Sequence, residues 1–253
     1  IYFTRTVEGE RLNKSDKVVQ NTLQVFYSKL NKDSSWTNPK SAFYFNSINY
    51  SVFHPSLSKD GKMIFFASDM PGGVGGTDIY VSYKEKNGRW SQPYNLGPDV
   101  NSVDNELFPF YDNDGSLYFS SNGHPGMGKL DIFKSTYDSL QGWTHVENLR
   151  APMNSIGDDI CYFEGVDKGK GFIVSDRING TGSDDIYIFN KKEPLEIIFD
   201  YDYLHIKDLS AYDQLTFSVS KSDKKAVEFE ENENYFTYRK TRHDASISPQ
   251  FIE

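Results

Sequence analysis

The sequence is poor in cysteine, in long apolar runs and in clustered basic charge. Its single cysteine, Cys161, excludes an intrachain disulfide framework and, with no second cysteine nearby, disfavours metal binding. The apolar neighbours of Cys161 place it in the core. No apolar run approaches the ~18 residues that a transmembrane helix needs. The net charge is −9, and the densest basic stretch, 238–243, is short, which argues against nucleic-acid binding.

Catalytic and cofactor-binding motifs are also missing. The five histidines show no HExxH or other short paired spacing, and no Gly-x-Ser-x-Gly elbow occurs. Two adjacent carboxylate pairs remain for glycoside chemistry: Asp158-Asp159 and Asp184-Asp185. Neighbouring strand residues point to opposite faces, so neither pair converges on one sugar. We therefore expect a protein that is not an enzyme and that binds no cofactor or metal.

The sequence does contain an internal repeat. An Asp-Ile-aromatic triplet begins at Asp78, Asp131 and Asp185, so the intervals are 53 and 54 residues. Other residues keep this period: Ser68, Ser121, Ser175, Trp36, Trp90, Trp143, Asn46-Ser47, Asn101-Ser102 and Asn154-Ser155. A repeat of this length indicates copies of one supersecondary unit that cannot bury its apolar face alone.

Each copy has the pattern of a β-meander. Asp60-Gly61 and Asp114-Gly115 are tight-turn dipeptides between apolar segments. The run Met63 to Ala67 is almost continuously apolar, which predicts a strand covered on both faces. The triplet starts the third strand, and Asn87-Gly88 turns Lys84 to Trp90 into a fourth. Three or four short strands per repeat are typical of a propeller blade.

The predicted fold is therefore all-β, a propeller of short four-stranded blades followed by a small β-rich C-terminal segment. About four blades are visible, and their predicted bounds are 1–50 for a degenerate copy, 51–104, 105–156 and 157–192, with the C-terminal segment at 193–253. Ile1 to Arg5 matches Ile64 to Ser68, so the chain starts inside a strand. We expect it to be a piece of a longer protein whose earlier residues help to close the ring.

Three stretches carry a family resemblance: His54 to Gly61, Ser68 to Tyr80 and Asn95 to Phe110. They resemble the WD-like, Pro-Asp-type propeller repeats of Bacteroidetes cell-envelope proteins. That group includes PorE-like lipoproteins of type IX secretion and gliding, which also carry an OmpA-like peptidoglycan-binding domain. The resemblance covers residues 1–192. It implies a periplasmic scaffold at the outer membrane that docks a β-barrel or secretion subunits, with peptidoglycan bound only through regions outside this sequence.

The loops before the repeated aspartates differ between copies and are the candidate partner-binding sites. The candidate residues are Met70, Pro71, Gly72, Gly73, His124, Pro125 and Met127. Asp78, Asp131 and Asp185 are predicted to be structural, because a carboxylate after a turn accepts backbone N–H bonds. One alternative is a glycan- or peptidoglycan-binding propeller, which requires aromatic side chains displayed on one rim. A hydrolase-associated propeller is the second alternative.

Overall fold

The protein, described by a computed structural model, is built from β-strands. The description covers residues 1–8, 21–144, 146–178 and 180–191, and after these the backbone of four further strands. Two compact units are present, residues 1–190 and 191–253. Throughout the described residues there is no helix, and so none that could span a membrane.

Four antiparallel sheets form the first unit, one for each copy of the repeat, and they are called blades 1 to 4. Blade 1 contains β1 (Tyr2–Val7), β2 (Thr22–Tyr27) and β3 (Lys40–Ser41). Blade 2 contains β4 (Val52–Leu57), β5 (Met63–Ser68), β6 (Asp78–Tyr83) and β7 (Tyr94–Asn95). Blade 3 contains β8 (Glu106–Tyr111), β9 (Ser116–Ser121), β10 (Asp131–Asp138), β11 (Gly142–Trp143) and β12 (Glu147–Asn148). Blade 4 contains β13 (Asp159–Glu164), β14 (Lys170–Ser175) and β15 (Asp185–Asn190).

Each blade is a meander in which strands that follow one another in sequence pair in space. Neighbouring blades contact each other in order: β1 and β2 lie against β4, β4 and β5 against β8, and β8 against β13. Sequential antiparallel sheets stacked in this way form a propeller. The prediction of an all-β propeller built from about four visible blades is confirmed.

The fourth strand of each blade is shorter than predicted. In blade 2, Lys84 and Trp90 form one isolated bridge, and the sheet continues only with the two residues of β7. Pro93, which has no N–H, and Gly97, at φ 81°, flank β7 and prevent a longer ladder. Blades 1 and 4 contain three described strands each. Blade 1 lacks the equivalent of β4, since β1 pairs with β2 as β5 pairs with β6.

Tight Asp-Gly turns connect the first two strands of blades 2 and 3, as the sequence predicts. Gly61 has φ 68° and Gly115 has φ 89°, a backbone region that glycine adopts without steric cost. Gly61 N–H donates to Ser58 O at 2.8 Å, and Gly115 N–H to Asp112 O at 3.2 Å. These turns set the register that brings the apolar runs of β5 and β9 to the middle of their sheets.

Three apolar clusters form the core, and each lies between two neighbouring blades. Successive residues of β5 serve different clusters: Phe66 packs towards blade 1, and Phe65 packs towards blade 3. Both phenylalanines are fully buried, and each contributes about 2 kcal/mol of burial free energy. The predicted coverage of this strand on both faces is confirmed, because a blade inside the stack has a neighbour on each side.

Blades 1 and 4, at the ends of the stack, expose apolar side chains that are buried in blades 2 and 3. Ile186 and Ile188 on β15 are 72% and 78% exposed, whereas Ile79 and Val81 at the equivalent positions of β6 are 0% and 3% exposed. In blade 1, Trp36 is exposed, although Trp90 at the equivalent position is buried. The repeat thus preserves residue type at these positions, while the neighbouring blade determines burial.

The second unit is described by its strand backbone. It contains β16 (Ile197–Asp200), β17 (Tyr203–Lys207), β18 (Ala226–Asn232) and β19 (Tyr235–Thr241). These form one antiparallel sheet in the order β16-β17-β19-β18. The predicted β-rich character of the C-terminal segment is confirmed.

Candidate functional site

The aspartates of the repeated triplet hold the loops that precede them. Asp131 is 1% exposed, and its Oδ2 accepts hydrogen bonds from the backbone N–H groups of Met127 and Gly128, both at 2.9 Å. Asp78 and Asp185 accept equivalent bonds from their own preceding loops. Each carboxylate therefore closes a loop onto the first residue of the third strand.

Asp185 shows how these bonds act on a more exposed carboxylate. It accepts the N–H groups of Thr181 at 2.6 Å and Gly182 at 3.1 Å, and the Thr181 hydroxyl at 2.9 Å. The Gly182 N–H first, and then the two groups of Thr181, lower the pKa of Asp185. The ionised carboxylate is thus the form that this loop stabilises.

The predicted partner-binding loops are only partly exposed. The residues at the surface are Pro71, Gly72, Gly73, Pro125 and Met127. Met70 instead packs against the core between blades 1 and 2, and the His124 ring lies 5.2 Å from that of Phe133 with Nε2 2.8 Å from Val100 O. Gly73 allows a close approach, since a Cβ there would lie 2.0 Å from Asp78 Oδ2.

The periodic Asn-Ser pairs act in the same framework, a role that the spacing alone did not reveal. Asn101 Oδ1 accepts the Ile79 N–H at 2.7 Å, and its Nδ2 donates to Ile79 O at 3.1 Å. Asn154 makes the same two bonds with Ile132 in blade 3. These side chains replace a strand neighbour beyond the triplet and tie each blade to the segment that leads to the next.

Two buried carboxylates at the start of the first strands were also missed from the sequence. Glu106 accepts the N–H and hydroxyl of Ser102 and the hydroxyl of Ser121, at 2.8, 2.6 and 2.7 Å. Asp159 occupies the equivalent place in blade 4 and pairs with Arg177 at 2.6 Å. Because Val52 stands at this position in blade 2, three repeats do not share one residue type that could have marked it.

A repeated β-bulge distorts the first strands where neighbouring blades meet. His54, Phe108 and Cys161 occupy it with φ between 52° and 56°, a region uncommon for residues other than glycine. The rings of His54 and Phe108 stack at 3.8 Å, and His54 Nδ1 accepts the Phe108 N–H at 3.2 Å. Burial lowers the pKa of His54 to about 4.

Cys161 corrects one sequence-based expectation. It is half-buried at this bulge and not a core residue, because the bulge turns it out of the strand's alternation. Burial, with a smaller effect of Asp184, raises the pKa of the Cys161 thiol to about 11.

The largest described concavity is a cavity of about 880 Å³ between blades 1 and 2, called here the blade 1–2 pocket. Aromatic side chains line it: Tyr2, Tyr27, Phe43, Tyr44 and Trp90. Trp90 and Phe43 are buried at its floor, while Tyr44 is 71% exposed at its mouth. Hydrogen-bonding groups share the lining, from Gln24, Ser28, Ser41 and Asn46.

A second aromatic surface lies between blades 2 and 3. Tyr83 and Tyr94 meet edge to face at 5.8 Å, and Tyr137 meets Trp143 at 5.5 Å. Burial, followed by the nearby phenols of Tyr137 and Tyr94, raises the pKa of Tyr83. We call Tyr83, Tyr94 and Tyr137 the tyrosine groove; all three are exposed.

The blade 1–2 pocket and the tyrosine groove lie on the same edge of the propeller. The hairpin 84–90 borders the pocket, and the hairpin that pairs Tyr137 with Trp143 occupies the equivalent place in blade 3. Tyr83 and Lys84 are neighbours in sequence, so their side chains point to opposite faces, Tyr83 to the groove and Lys84 to the pocket. The sequence analysis did not identify this edge, because its residues come from different copies of the repeat.

Neither aspartate of the pair 158–159 is arranged with its neighbour around a shared ligand. Asp158 Oδ1 accepts the Leu130 N–H at 3.0 Å, whereas Asp159 belongs to the Arg177 pair. Within the residues that the structure covers, no group of three or more His, Cys, Asp or Glu side chains could hold a metal ion.

Comparisons with known proteins give structural matches but no sequence family. No protein-family model and no curated protein matches the chain. The endo-arabinase from Bacteroides thetaiotaomicron is 18% identical, with 76% of this chain and 71% of that protein covered and a TM-score of 0.45. A structure of BT0996 in complex with RGII is 8% identical, with 98% and 91% covered and a TM-score of 0.47.

A third similar structure is the Trypanosoma rangeli sialidase in complex with the inhibitor DANA. It is 11% identical, with 94% of this chain and 53% of the sialidase covered and a TM-score of 0.32. Because an endo-arabinase and a sialidase are enzymes, these findings correct the expectation that the protein is not an enzyme, which was wrong as an inference from the repeat. At such identities the likeness concerns the fold alone.

Proposed function

We propose that the protein binds glycans along the edge formed by the blade 1–2 pocket and the tyrosine groove. The observation that carries this proposal is the concentration of exposed aromatic rings beside hydrogen-bonding groups around one large cavity. Ligand sites are typically concave, lined by aromatic side chains and equipped with a few polar groups. The glycan-binding alternative required aromatic side chains on one rim, and this edge has that arrangement.

The chemistry of the edge suits a sugar. A pyranose has an apolar C–H face that stacks on an aromatic ring and a perimeter of hydroxyl groups that need hydrogen-bond partners. Tyrosine offers both a large apolar body and a polar tip. In the pocket, Tyr27 and Tyr44 supply rings, and the side chains of Ser41 and Asn46 supply polar atoms within the same cavity.

Binding to defined oligosaccharides tests this proposal. Isothermal titration of the purified chain against a panel of neutral and acidic oligosaccharides should give saturable binding to at least one of them. The variants Tyr44→Ala and Tyr137→Ala should weaken that binding about tenfold or more, since loss of one aromatic contact removes roughly 1 to 2 kcal/mol. Phe172→Ala removes an exposed ring from blade 4, away from this edge, and is the matched control.

Two results would contradict glycan binding at this edge. One is no binding to any oligosaccharide of the panel by a folded chain. The other is equal weakening by Phe172→Ala and Tyr44→Ala, which would place the ligand elsewhere or make the effect non-specific.

A second proposal is protein docking in the periplasm, at the outer membrane. It is supported by the exposed Met127 in the loop before Asp131, because methionine is common at adaptable protein-binding surfaces. A photo-crosslinker at position 127 should capture an outer-membrane barrel or a secretion subunit from envelope extracts. A crosslinker at Lys59, in the turn between β4 and β5, is the control, and equal capture from both positions would contradict docking through this loop.

A further inference from the structure

We infer that the blade 1–2 pocket is selective for sugars with a negatively charged substituent, a carboxylate or a sulfate. This inference rests on the proposed glycan-binding function and names its ligand class. Three cationic side chains line the pocket: Lys29, Lys84 and Arg89. The described lining contains no aspartate or glutamate, although the chain as a whole has a net charge of −9.

The cations are held around the aromatic floor by the fold. Lys84 Nζ lies 4.3 Å from the centre of the Trp90 ring, a cation–π distance, so the ammonium stays over the pocket floor. Lys29 follows Ser28, whose hydroxyl donates to Thr37 O at 2.5 Å and fixes the end of β2. The ammonium groups thus come from facing blades.

Lys29 and Lys84 also act on each other. Burial first, and then the charge of Lys29, lower the pKa of Lys84. An anion placed between the two ammonium groups would remove this repulsion and favour the charged form of Lys84. Binding an anionic sugar therefore relieves an unfavourable interaction that a neutral sugar leaves in place.

The repeat provides an internal comparison. The tyrosine groove is the equivalent surface one blade further on, and its residues at the three cationic positions are uncharged. Tyr83 replaces Lys29, Tyr137 replaces Lys84, and Gly142 replaces Arg89. The positive charge is therefore a property of the blade 1–2 pocket and not a requirement of the blade fold.

The two surfaces together suit a chain of several sugars. An anionic residue of the glycan would lie in the pocket, with its acidic group among the cations. The uncharged tyrosine groove would take a further ring by stacking alone. Charge at one point and stacking at the next set the expected order of preference: an anionic oligosaccharide first, and its neutral analogue second.

The experiment compares an oligogalacturonate, its fully methyl-esterified form and a sulfated oligosaccharide by isothermal titration. Methyl esterification removes the charge and keeps the sugar ring. The oligogalacturonate, or the sulfated probe in its place, should bind about tenfold or more tightly than the ester at low ionic strength, and the difference should shrink at high ionic strength. Lys29→Gln and Arg89→Gln should reduce this preference, while Lys59→Gln, an exposed lysine outside the pocket lining, should leave it unchanged.

The outcomes separate the two proposals. Equal binding of the acid, the ester and the sulfated probe overturns the charge selectivity and leaves glycan binding supported. Binding of neither the acid, the ester nor the sulfated probe overturns the selectivity as well, and absence of binding across the whole neutral and acidic panel overturns glycan binding itself. A preference for the acid that survives Lys29→Gln and Arg89→Gln overturns the assignment to this pocket.

Discussion

Replacing Asp131 with alanine tests the structural role of the repeated triplet. The substitution removes the acceptor of two backbone N–H groups, those of Met127 and Gly128, from a site that is almost fully buried. Leaving a buried donor unpaired costs about 1 to 3 kcal/mol. Since the loop can move part of the way towards water, we expect a loss of about 2 to 4 kcal/mol in the free energy of unfolding.

Asparagine at position 131 separates hydrogen bonding from charge. Oδ1 of Asp131 is buried and has no hydrogen-bond partner, so an amide can place its NH₂ there and keep its oxygen on the two N–H groups. Asp131→Asn should therefore lose clearly less stability than Asp131→Ala. Asp185→Ala, which acts on a more exposed loop, should lose less as well.

Urea denaturation followed by circular dichroism measures these differences as shifts of the midpoint at constant m value. A loss below about 0.5 kcal/mol for Asp131→Ala, within the range of ordinary surface substitutions, would refute the reasoning. So would an equal loss for Asp131→Ala and Asp131→Asn, because that result would assign the effect to the charge.

Three further predictions concern the stack of blades. Burial lowers the pKa of His54 to about 4, so the unfolded chain binds a proton that the folded chain does not; stability should fall by about 2 to 3 kcal/mol as pH falls from 6.5 towards 4, and His54→Asn should flatten this profile in urea titrations, whereas an unchanged profile would contradict it. Ile79→Ala should cost about 2 to 4 kcal/mol, but Ile186→Ala, at the equivalent exposed position, within about 0.5; equal thermal shifts would show that Ile186 is covered. Glu106→Ala should cost about 2 to 4 kcal/mol, because it leaves the Ser102 N–H and the Ser121 hydroxyl without their acceptor; retention of the midpoint would show that water replaces the carboxylate.

The repeat made the blade strands and their turns predictable from the sequence. The tight turn at Gly61 and the start of the third strand at Asp78 depend on residues close in sequence, and each occurs in more than one copy. The length of the fourth strand was less predictable. Its ladder depends on how a two-residue segment such as β7 approaches β6, and nearby proline and glycine limit that approach.

The candidate binding edge could not be predicted in this way. Tyr27 and Tyr44 come from blade 1, and Trp90 comes from blade 2, so they form one cavity only after two repeats have packed. The burial of Trp90 and the exposure of Trp36, which share one position in the repeat, likewise follow from the neighbouring sheet.

The sequence by itself determined that the chain folds as consecutive β-meanders, since strand pattern, turn residues and the loop-holding aspartates act over short distances within one copy. Only the tertiary structure decided which equivalent residues are buried, where aromatic and cationic side chains meet, and which surface remains open. The physical reason is that burial and electrostatic interactions depend on distances between blades. Residues such as Lys29 and Lys84 are 55 positions apart in sequence and come to line one pocket only through the packing of one blade on the next.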